Sequence, residues 1–326
     1  MMRQKTNPFI SVVLPVYNES AGIGETLTEL ANYVRARPER YELIFVNDGS
    51  TDDSATQIKA AMAKNPTIRL VDFSRNFGHQ LAITAGIRYA SGDAVVVMDA
   101  DLQDPPSVIP AMIARWQEGY DVVYGKRRKR SGETWFKKVT AETFYRVLKA
   151  LTSVDIPVDT GDFRLMDRSV VNVLKQMNEH DPYVRGMVAW VGYRQIAVEY
   201  DRQKRTAGET HYPLKKMLHL AMNGITSFST VPLTIANWLS GFFLLLAVAI
   251  VGISFFLGHL SLLTWVIATT LLVGAGITFS IGLLGNYIGR MFAQSRHRPL
   301  YIVADTYGFK TQTTQQQNYR YHALQN

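Results

Sequence analysis

The feature that most constrains this sequence is a long stretch without charged side chains. No Asp, Glu, Lys or Arg occurs between Lys216 and Arg290, so residues 217–289 are charge-free and all charged side chains lie elsewhere. A soluble domain exposes charges along most of its chain, whereas the apolar core of a bilayer excludes them. The stretch therefore predicts membrane-spanning segments joined to a soluble portion of catalytic size.

The charge-free stretch divides at residues 258–261 into two apolar runs, 233–257 and 262–288. As helices rising about 1.5 Å per residue, both are long enough to cross a hydrocarbon core of roughly 30 Å. Lys215 and Arg290 flank the pair on its outer sides, and the loop between the runs carries no charge. This asymmetry predicts a multi-pass protein of the inner (cytoplasmic) membrane with both termini in the cytoplasm. Two buried helices in a soluble core are the alternative.

The composition excludes several classes of function. The chain has no cysteine, so disulfides, thiolate zinc sites, iron-sulfur clusters and thiol nucleophiles are ruled out. Its 47% hydrophobic and 19% charged residues exclude a disordered or collagen-like chain. The net charge of +8 is compatible with anionic partners but identifies none. Gly22-Ile-Gly24 and Gly125-Lys126 lack the remaining residues of the dinucleotide fingerprint and the P-loop, which argues against a dehydrogenase or a P-loop ATPase.

Short β-branched runs alternate with helical patterns over the first 125 residues. The predicted strands are 9–16, 41–46, 68–73, 94–98 and 122–124, and the predicted helices are 22–37, 54–64, 80–90 and 106–119. Such alternation predicts an α/β fold, with a parallel sheet covered by helices on both faces. In such a sheet ligands bind beyond the carboxyl ends of the strands, so the residues that follow each strand are the candidates for a site.

Carboxylates collect at these positions. Asp99 and Asp101 follow the most hydrophobic strand, and alternate carboxylates on an extended turn can hold a hard divalent cation. The segment is not an EF-hand, because Asp104 stands where that loop needs Gly and Pro110 where it needs Glu. A Mg²⁺ or Mn²⁺ held by one or two carboxylates keeps positions open for substrate phosphates, which indicates a nucleotide-diphosphate site. Helix capping is the structural alternative.

Five ordered motifs carry a family resemblance. They are PVYNE at 15–19, VNDGSTD at 46–52, SRNFG at 74–78, DADLQDPP at 99–106 and GDFRLMD at 161–167. With these motifs the chain resembles family 2 glycosyltransferases, and among them the polyprenyl-phosphate glycosyltransferases, which include dolichyl-phosphate mannose synthase and the bactoprenol glucosyltransferases. The likeness runs from about residue 8 to about residue 303. It implies a GT-A-type, Rossmann-like nucleotide-sugar domain followed by a C-terminal two-helix transmembrane hairpin.

The resemblance also implies roles for individual residues on the donor side. The residues expected to contact the base and ribose of the donor are Pro15, Tyr17, Glu19 and Asp48. Asp99 is expected at the ribose or the metal, and Asp101 with Gln103 at the metal, Mg²⁺ or Mn²⁺. Arg127 is expected to add positive charge near the donor diphosphate, with a solvated loop or an anionic-lipid contact as the alternative for its basic run.

On the acceptor side, the resemblance implies that Asp162, or else Asp159, acts as a base or orients the acceptor, and that Arg164 lies near phosphate. The family usually has Gly-Glu-Ser-Lys-Tyr before the membrane, where this chain has Gly-Glu-Thr-His-Tyr at 208–212. Thr210 keeps the hydroxyl, but His211 is only partly charged near neutral pH. Phosphate is therefore not expected to bind there as in the usual family pattern, unless Lys215 or Lys216 substitutes for the missing lysine.

The expected organisation has four parts. Residues 1–210 form the cytoplasmic GT-A domain, 211–230 an interfacial amphipathic segment, 231–290 the two transmembrane helices, and 291–326 a partly disordered cytoplasmic tail. The expected partners are a UDP-sugar donor and polyprenyl phosphate, with no nucleic acid, and the membrane helices offer a surface for a homo-oligomer.

The expected reaction is inverting, metal-dependent transfer of a sugar, glucose from UDP-glucose, to undecaprenyl phosphate. A phosphate monoester is largely dianionic at neutral pH, so Asp162 is expected to orient the acceptor more than to deprotonate it. The alternatives are the same reaction with UDP-GlcNAc, UDP-Gal or GDP-Man, a polysaccharide synthase, and a non-catalytic membrane scaffold.

Overall fold

The computed structural model describes residues 7–128, 160–179, 181–202, 262–296 and 298–309, with eight helical residues between 241 and 252. The chain forms two compact units, one built around an eight-stranded sheet and the other containing a long apolar helix. The sheet-containing unit includes chain from both sides of the helical unit in sequence.

The sheet-containing unit carries the eight described strands and six of the described helices. The strands are β1 (Phe9–Val16), β2 (Arg40–Asn47), β3 (Ile68–Phe73), β4 (Ala94–Val97), β5 (Val122–Arg127), β6 (Thr160–Asp167), β7 (Gln195–Tyr200) and β8 (Val303–Tyr307). The helices are α1 (Ile23–Arg35), α2 (Ser54–Met62), α3 (His79–Tyr89), α4 (Ile109–Gln117), preceded by a 3-10 turn at Pro106–Val108, α5 (Arg168–Gln176) and α6 (Val184–Trp190). The elements predicted for the first 125 residues are confirmed to within three residues at each end.

The sheet is mixed: the five strands predicted over the first 125 residues run in one direction, as predicted, and two later strands are reversed. The strand order is β7-β5-β6-β4-β1-β2-β3-β8. Within the group β1 to β4, every neighbouring pair of strands is parallel. Strand β6 is antiparallel to both β4 and β5, and β8 is antiparallel to β3. Both reversed strands lie after the alternating region. Hydrophobic alternation identifies a strand by its local pattern and carries no information about its direction.

Helices cover both faces of the sheet, as predicted. Side chains of α1, α2 and α4 form one core with alternate residues of the central strands, such as Val12 and Leu14. Helix α3 packs on the opposite face, where a Cβ on Gly86 would lie 2.2 Å from Val13 Cγ1. Gly86 therefore permits the close approach of helix to sheet. Because both faces are covered, β1 is almost wholly buried, which accounts for its sequence being apolar except for Ser11.

The chain that follows the long helix returns to the sheet. Strand β8 pairs with β3, and Ser74 N donates to Ile302 O at 3.0 Å. The ring of Tyr301 stacks on that of Phe73 with the centroids 4.9 Å apart. Strand β8 thus forms one edge of the sheet.

The helical unit contains α7 (Leu262–Ser295), 34 residues or about 51 Å long. Its segment Thr269–Gly289 is long and apolar enough to cross a membrane, with a mean hydropathy of 1.6 and 6% of its most apolar window buried. The apolar helix predicted over 262–288 is present and continues seven residues further, and its role as a membrane span stays a prediction. Most of the first predicted span, 233–257, lies outside the described residues, as do the interfacial segment 211–230 and the tail beyond residue 309. The described residues therefore contain one candidate span, and the predicted two-helix hairpin goes beyond what they contain.

Candidate active site

The loops after β1 and β2 are tied to each other at the carboxyl edge of the sheet. Asn18 N donates to Ser50 Oγ at 3.0 Å, and Thr51 N donates to Asn18 Oδ1 at 2.9 Å. Asn18 has a φ of 53°, in the left-handed region that Asn tolerates better than most residues. This turn leaves Tyr17 42% exposed next to the edge, whereas Pro15 is buried within β1. Tyr17 is therefore available to a ligand, and Pro15 supports the strand behind it.

Asp48 is buried and holds the loop after β3. Its carboxylate accepts hydrogen bonds from Phe77 N at 2.7 Å, from Gly78 N at 3.0 Å and from Asn76 Nδ2 at 3.0 Å. Burial raises the pKa of Asp48, and the two backbone donors oppose that shift. The structure thus gives Asp48 a role in joining two loops of the edge. Contact of Asp48 and of the half-buried Glu19 with a nucleotide stays a prediction.

The reversed direction of β6 brings the two central carboxylates together. Val97 of β4 pairs with Arg164 of β6, so Asp99, two residues further on, comes opposite Asp162, two residues earlier. His79 lies between them at the start of α3. Its Nε2 is 3.6 Å from Asp99 Oδ1 and 3.3 Å from Asp162 Oδ2. The strand register therefore converts two distant motifs into one site.

Asp162 is held as an ion pair. Arg185 of α6 donates from Nε to Asp162 Oδ1 at 2.9 Å and from Nη2 to Asp162 Oδ2 at 3.1 Å. Burial acts to raise the pKa of Asp162. The charge of Arg185 and the hydrogen bonds from His79 and Arg185 outweigh burial and hold the pKa well below its usual range. A carboxylate in this environment is ionised throughout the neutral range and is a poor proton acceptor.

The turn after β4 contains Asp101, Gln103 and Asp104. Asp101 Oδ1 accepts from Gln103 N at 3.1 Å, and the left-handed Leu102, with a φ of 55°, points into the core. Ala100 O accepts from Thr26 Oγ1 at 2.7 Å, which fixes the turn to α1. Asp101 and Gln103 are half-buried at the edge, as expected of residues that meet a ligand.

Asp104 faces inward and organises the neighbouring basic residues. It accepts a hydrogen bond from Tyr200 Oη, and its Oδ1 lies 3.7 Å from Arg202 Nε and 4.0 Å from Arg127 Nη2. Arg127 also approaches the backbone of Gly161, where a Cβ would lie 2.9 Å from Arg127 Nη2. Arg127 therefore lies close to the start of β6, beside Asp162. Its predicted contact with the donor diphosphate stays a prediction.

Arg164 is buried behind the strand rather than exposed at its edge. It donates to Gly161 O at 2.9 Å and to Asp162 O at 3.3 Å, and burial lowers its pKa to about 10. In this position it supports the backbone that carries Asp162. Its predicted proximity to a phosphate remains untested. The other predicted acceptor-side residues, Asp159, Thr210, His211 and Lys215, lie outside the described residues.

The donor set at this edge suits a hard divalent cation. Asp99 Oδ1 and Asp104 Oδ2 are buried and have no hydrogen-bond partner among the described residues. Burial raises the pKa of Asp99 to about 6; His79 opposes the rise, and the carboxylates of Asp104, Asp162 and Asp101 add to it. Within the described ranges no three His, Asp or Glu side chains form a preassembled metal cluster. The residues therefore fit a cation held by one or two carboxylates and completed by substrate phosphates.

Several residues of the site were missed from the sequence. His79 and Gln80 come directly after the SRNFG motif, so extending that motif by two residues would have included them. Asp104 stands inside the motif DADLQDPP, but the residues of that motif predicted to bind are Asp99, Asp101 and Gln103. No sequence pattern marks Arg185 as a site residue. It lies on a short helix 23 residues after Asp162, and only the tertiary fold brings the two side chains into contact.

Comparisons with known proteins agree with the motif pattern. The family model described as glycosyl transferase family 2 matches residues 11–174. An uncharacterized glycosyltransferase of Bacillus subtilis (strain 168) is 50% identical over 309 residues, which cover 92% of this chain and 94% of the relative. An uncharacterized glycosyltransferase of Synechocystis sp. is 41% identical, with 92% and 96% covered. A bactoprenol glucosyl transferase of Shigella phage SfV is 38% identical over 311 residues, with 90% and 97% covered.

Proposed function

The chain belongs to glycosyl transferase family 2 and is a glycosyltransferase, and we propose that it transfers glucose from UDP-glucose to the phosphate of undecaprenyl phosphate or a similar polyprenyl phosphate. One observation carries the proposal. At the carboxyl edge of the sheet, His79 Nε2 lies 3.6 Å from Asp99 Oδ1 and 3.3 Å from Asp162 Oδ2, so the two carboxylates belong to one site. The full-length similarity to relatives named bactoprenol glucosyl transferase supports the choice of acceptor and sugar.

The proposed reaction is a single displacement. An oxygen of the acceptor phosphate attacks the anomeric carbon, the bond from that carbon to the donor diphosphate breaks, and the configuration inverts. Asp99, Asp101 and Gln103 would hold a Mg²⁺ or Mn²⁺, which stabilises the negative charge of the leaving diphosphate when bound. Tyr17, Glu19 and Asp48 form the edge proposed to receive the nucleotide.

The acceptor needs little help from a base. The second pKa of a phosphate monoester is about 6, so the nucleophile is largely dianionic at neutral pH. Asp162 is fully engaged by Arg185 and His79, which makes it unsuited to accept a proton. The protein therefore contributes mainly by positioning the two substrates and by electrostatic stabilisation.

The proposed function is tested with the purified full-length protein in detergent. Labelled UDP-glucose, UDP-GlcNAc, UDP-Gal and GDP-Man are each supplied with undecaprenyl phosphate, with Mg²⁺, with Mn²⁺ and with a chelator. We expect a single lipid-linked sugar, formed fastest from UDP-glucose and lost on chelation. A lengthening polymer, or no product from any donor, would contradict the proposal. A faster reaction with another donor would correct the sugar alone.

We further propose that α7 is one of two spans, because β8 returns to the sheet of the catalytic unit. A chain that leaves a domain through a membrane and comes back to the same sheet crosses an even number of times. The candidate span in α7 supplies one crossing, and the apolar run 233–257 has the length for the other. Large side chains on α7 that are exposed in this structure, among them Leu271 and Ile281, suit a lipid environment.

The proposed topology is tested by cysteine labelling followed by purification of the protein, in which each introduced cysteine is the single thiol of the chain. Leu260→Cys lies between the two apolar runs. It is expected to react with a membrane-impermeant maleimide added to the outside of intact spheroplasts. Ala304→Cys, exposed on β8, is expected to react only after permeabilisation. Labelling of both positions from the same side would refute the two-span arrangement.

A further inference from the structure

Arg185 and Asp162 form the best-defined charge pair of the edge, and their exposure differs. The two-point contact between them orients both groups. The Arg185 side chain is 21% exposed, whereas that of Asp162 is 5% exposed. A substrate that approaches this point of the edge therefore meets the guanidinium of Arg185 before the carboxylate behind it.

A second guanidinium lies close to this pair. Arg164 lies behind Asp162, and the charges of both Asp162 and Arg185 act on it. Two guanidinium groups thus share one carboxylate. Both keep their charge across the neutral range, whatever the state of the neighbouring His79 and Asp99. A partly exposed guanidinium with two-point donor geometry suits a phosphate group.

The position of Arg185 is also fixed by α3. Gln80 Oε1 accepts from Val184 N at 3.0 Å, and Gln80 Nε2 lies 3.4 Å from Asp162 Oδ2. Gln80 therefore ties the first residue of α6 and the carboxylate of β6 to the same helix that presents His79. The guanidinium is held from its backbone and from its partner, which reduces the entropy lost when a ligand binds.

We infer that Arg185 binds the phosphate of the lipid acceptor, and that Asp162 is the positioning residue that holds Arg185 in place. This inference rests on the proposed function and assigns the acceptor side of the same site. It gives Asp162 a role that depends on Arg185, whereas a general base would act on the acceptor independently of Arg185.

The test measures initial rates of the full-length protein with UDP-glucose, while undecaprenyl phosphate in detergent is varied. Arg185→Gln is expected to raise the KM for undecaprenyl phosphate about 10- to 100-fold and to leave the KM for UDP-glucose unchanged, because a hydrogen bond to a charged group is lost. Arg185→Lys keeps the charge without the two-point geometry and is expected to fall between. Arg194→Gln removes the same charge from an exposed residue that packs over Tyr120, and is expected to behave as wild type.

The double variant Asp162→Asn with Arg185→Gln separates the two roles of Asp162, because it removes both charges of the ion pair. If Asp162 acts through Arg185, the double variant is expected within about threefold of Arg185→Gln alone. The rate of Asp162→Asn should follow the titration of the acceptor near pH 6 and stay flat above pH 7. The positioning role would be overturned if the fold-loss of the double variant equalled the product of the losses of the two single variants. It would also be overturned if the rate of Asp162→Asn climbed tenfold per pH unit between 7 and 9.

Two further outcomes would overturn the assignment of Arg185. An unchanged KM for undecaprenyl phosphate in Arg185→Gln, or a raised KM for UDP-glucose alone, would show that Arg185 does not bind the acceptor. Both are distinct from failure of the proposed function, in which the wild-type protein itself forms no product from undecaprenyl phosphate; that result would remove the inference along with the function on which it rests.

Discussion

Replacement of Asp101 by alanine is expected to lower the transfer rate by roughly 1,000-fold in saturating Mg²⁺ or Mn²⁺. Asp101 lies half-buried on the turn after β4, where it is proposed to ligate the cation. Charge stabilisation of several kcal/mol at the leaving group would be lost with that ligand, and each 1.36 kcal/mol corresponds to a factor of ten. The measurement is the steady-state rate with UDP-glucose and undecaprenyl phosphate at saturation.

The fold should survive this substitution. The substitution removes the hydrogen bond that Gln103 N donates to Asp101 Oδ1, and such a bond contributes about 1 kcal/mol. Asp53→Ala is the matched control, because Asp53 is an exposed carboxylate before α2 whose side chain makes no capping bond. It is expected to keep the wild-type rate. If Asp101→Ala retained more than about a tenth of the activity, the assignment of Asp101 to the metal would be wrong.

Replacement of Gly49 by alanine is expected to lower the free energy of unfolding by roughly 3 kcal/mol and to weaken binding of the donor. Gly49 has a φ of +63°, and a Cβ there would lie 2.2 Å from Arg75 C and 2.5 Å from Asn76 N. These are backbone atoms, so the loop after β3 would have to move. That movement would break the hydrogen bonds from Phe77 N and Gly78 N to Asp48. Thermal or denaturant unfolding measures the loss.

Gly192→Ala provides the control for the glycine substitution. Gly192 has a similar φ of +72°, but its added Cβ would come no closer than 3.9 Å to Trp190 O. It should carry the cost of the backbone conformation alone, about 1 kcal/mol. Equal losses of stability in the two variants would mean that the contact with the loop after β3 has no part in the effect.

Much of the local structure could be predicted because it is governed by local patterns. Burial of one face of a helix or both faces of a strand imposes a period on the apolar residues. That period located β1 to β5 and α1 to α4, and with them the loops that carry Tyr17, Asp48, Asp99 and Asp101. The absence of charge over 217–289 likewise predicted an apolar helix of spanning length, which α7 provides.

The direction of the strands could not be predicted in the same way. The sequence TGDFRLMD of β6 is the same whether the strand runs parallel or antiparallel to β4. The choice depends on contacts between residues far apart in the chain. The antiparallel choice is what sets Asp162 opposite Asp99. The prediction of a parallel sheet holds for β1 to β5 and does not extend to the reversed strands β6 and β8 for this reason.

Local sequence patterns thus identify the strands and helices of the first 125 residues, the segment apolar enough for a membrane, and the carboxylates that follow the strands. What those carboxylates contact depends on the tertiary fold. Arg185 meets Asp162, and Tyr200 meets Asp104, across 23 and 96 residues of chain. The physical reason is that periodicity reports the environment of a residue, whereas an ion pair requires two side chains to be brought together by strand order and helix packing.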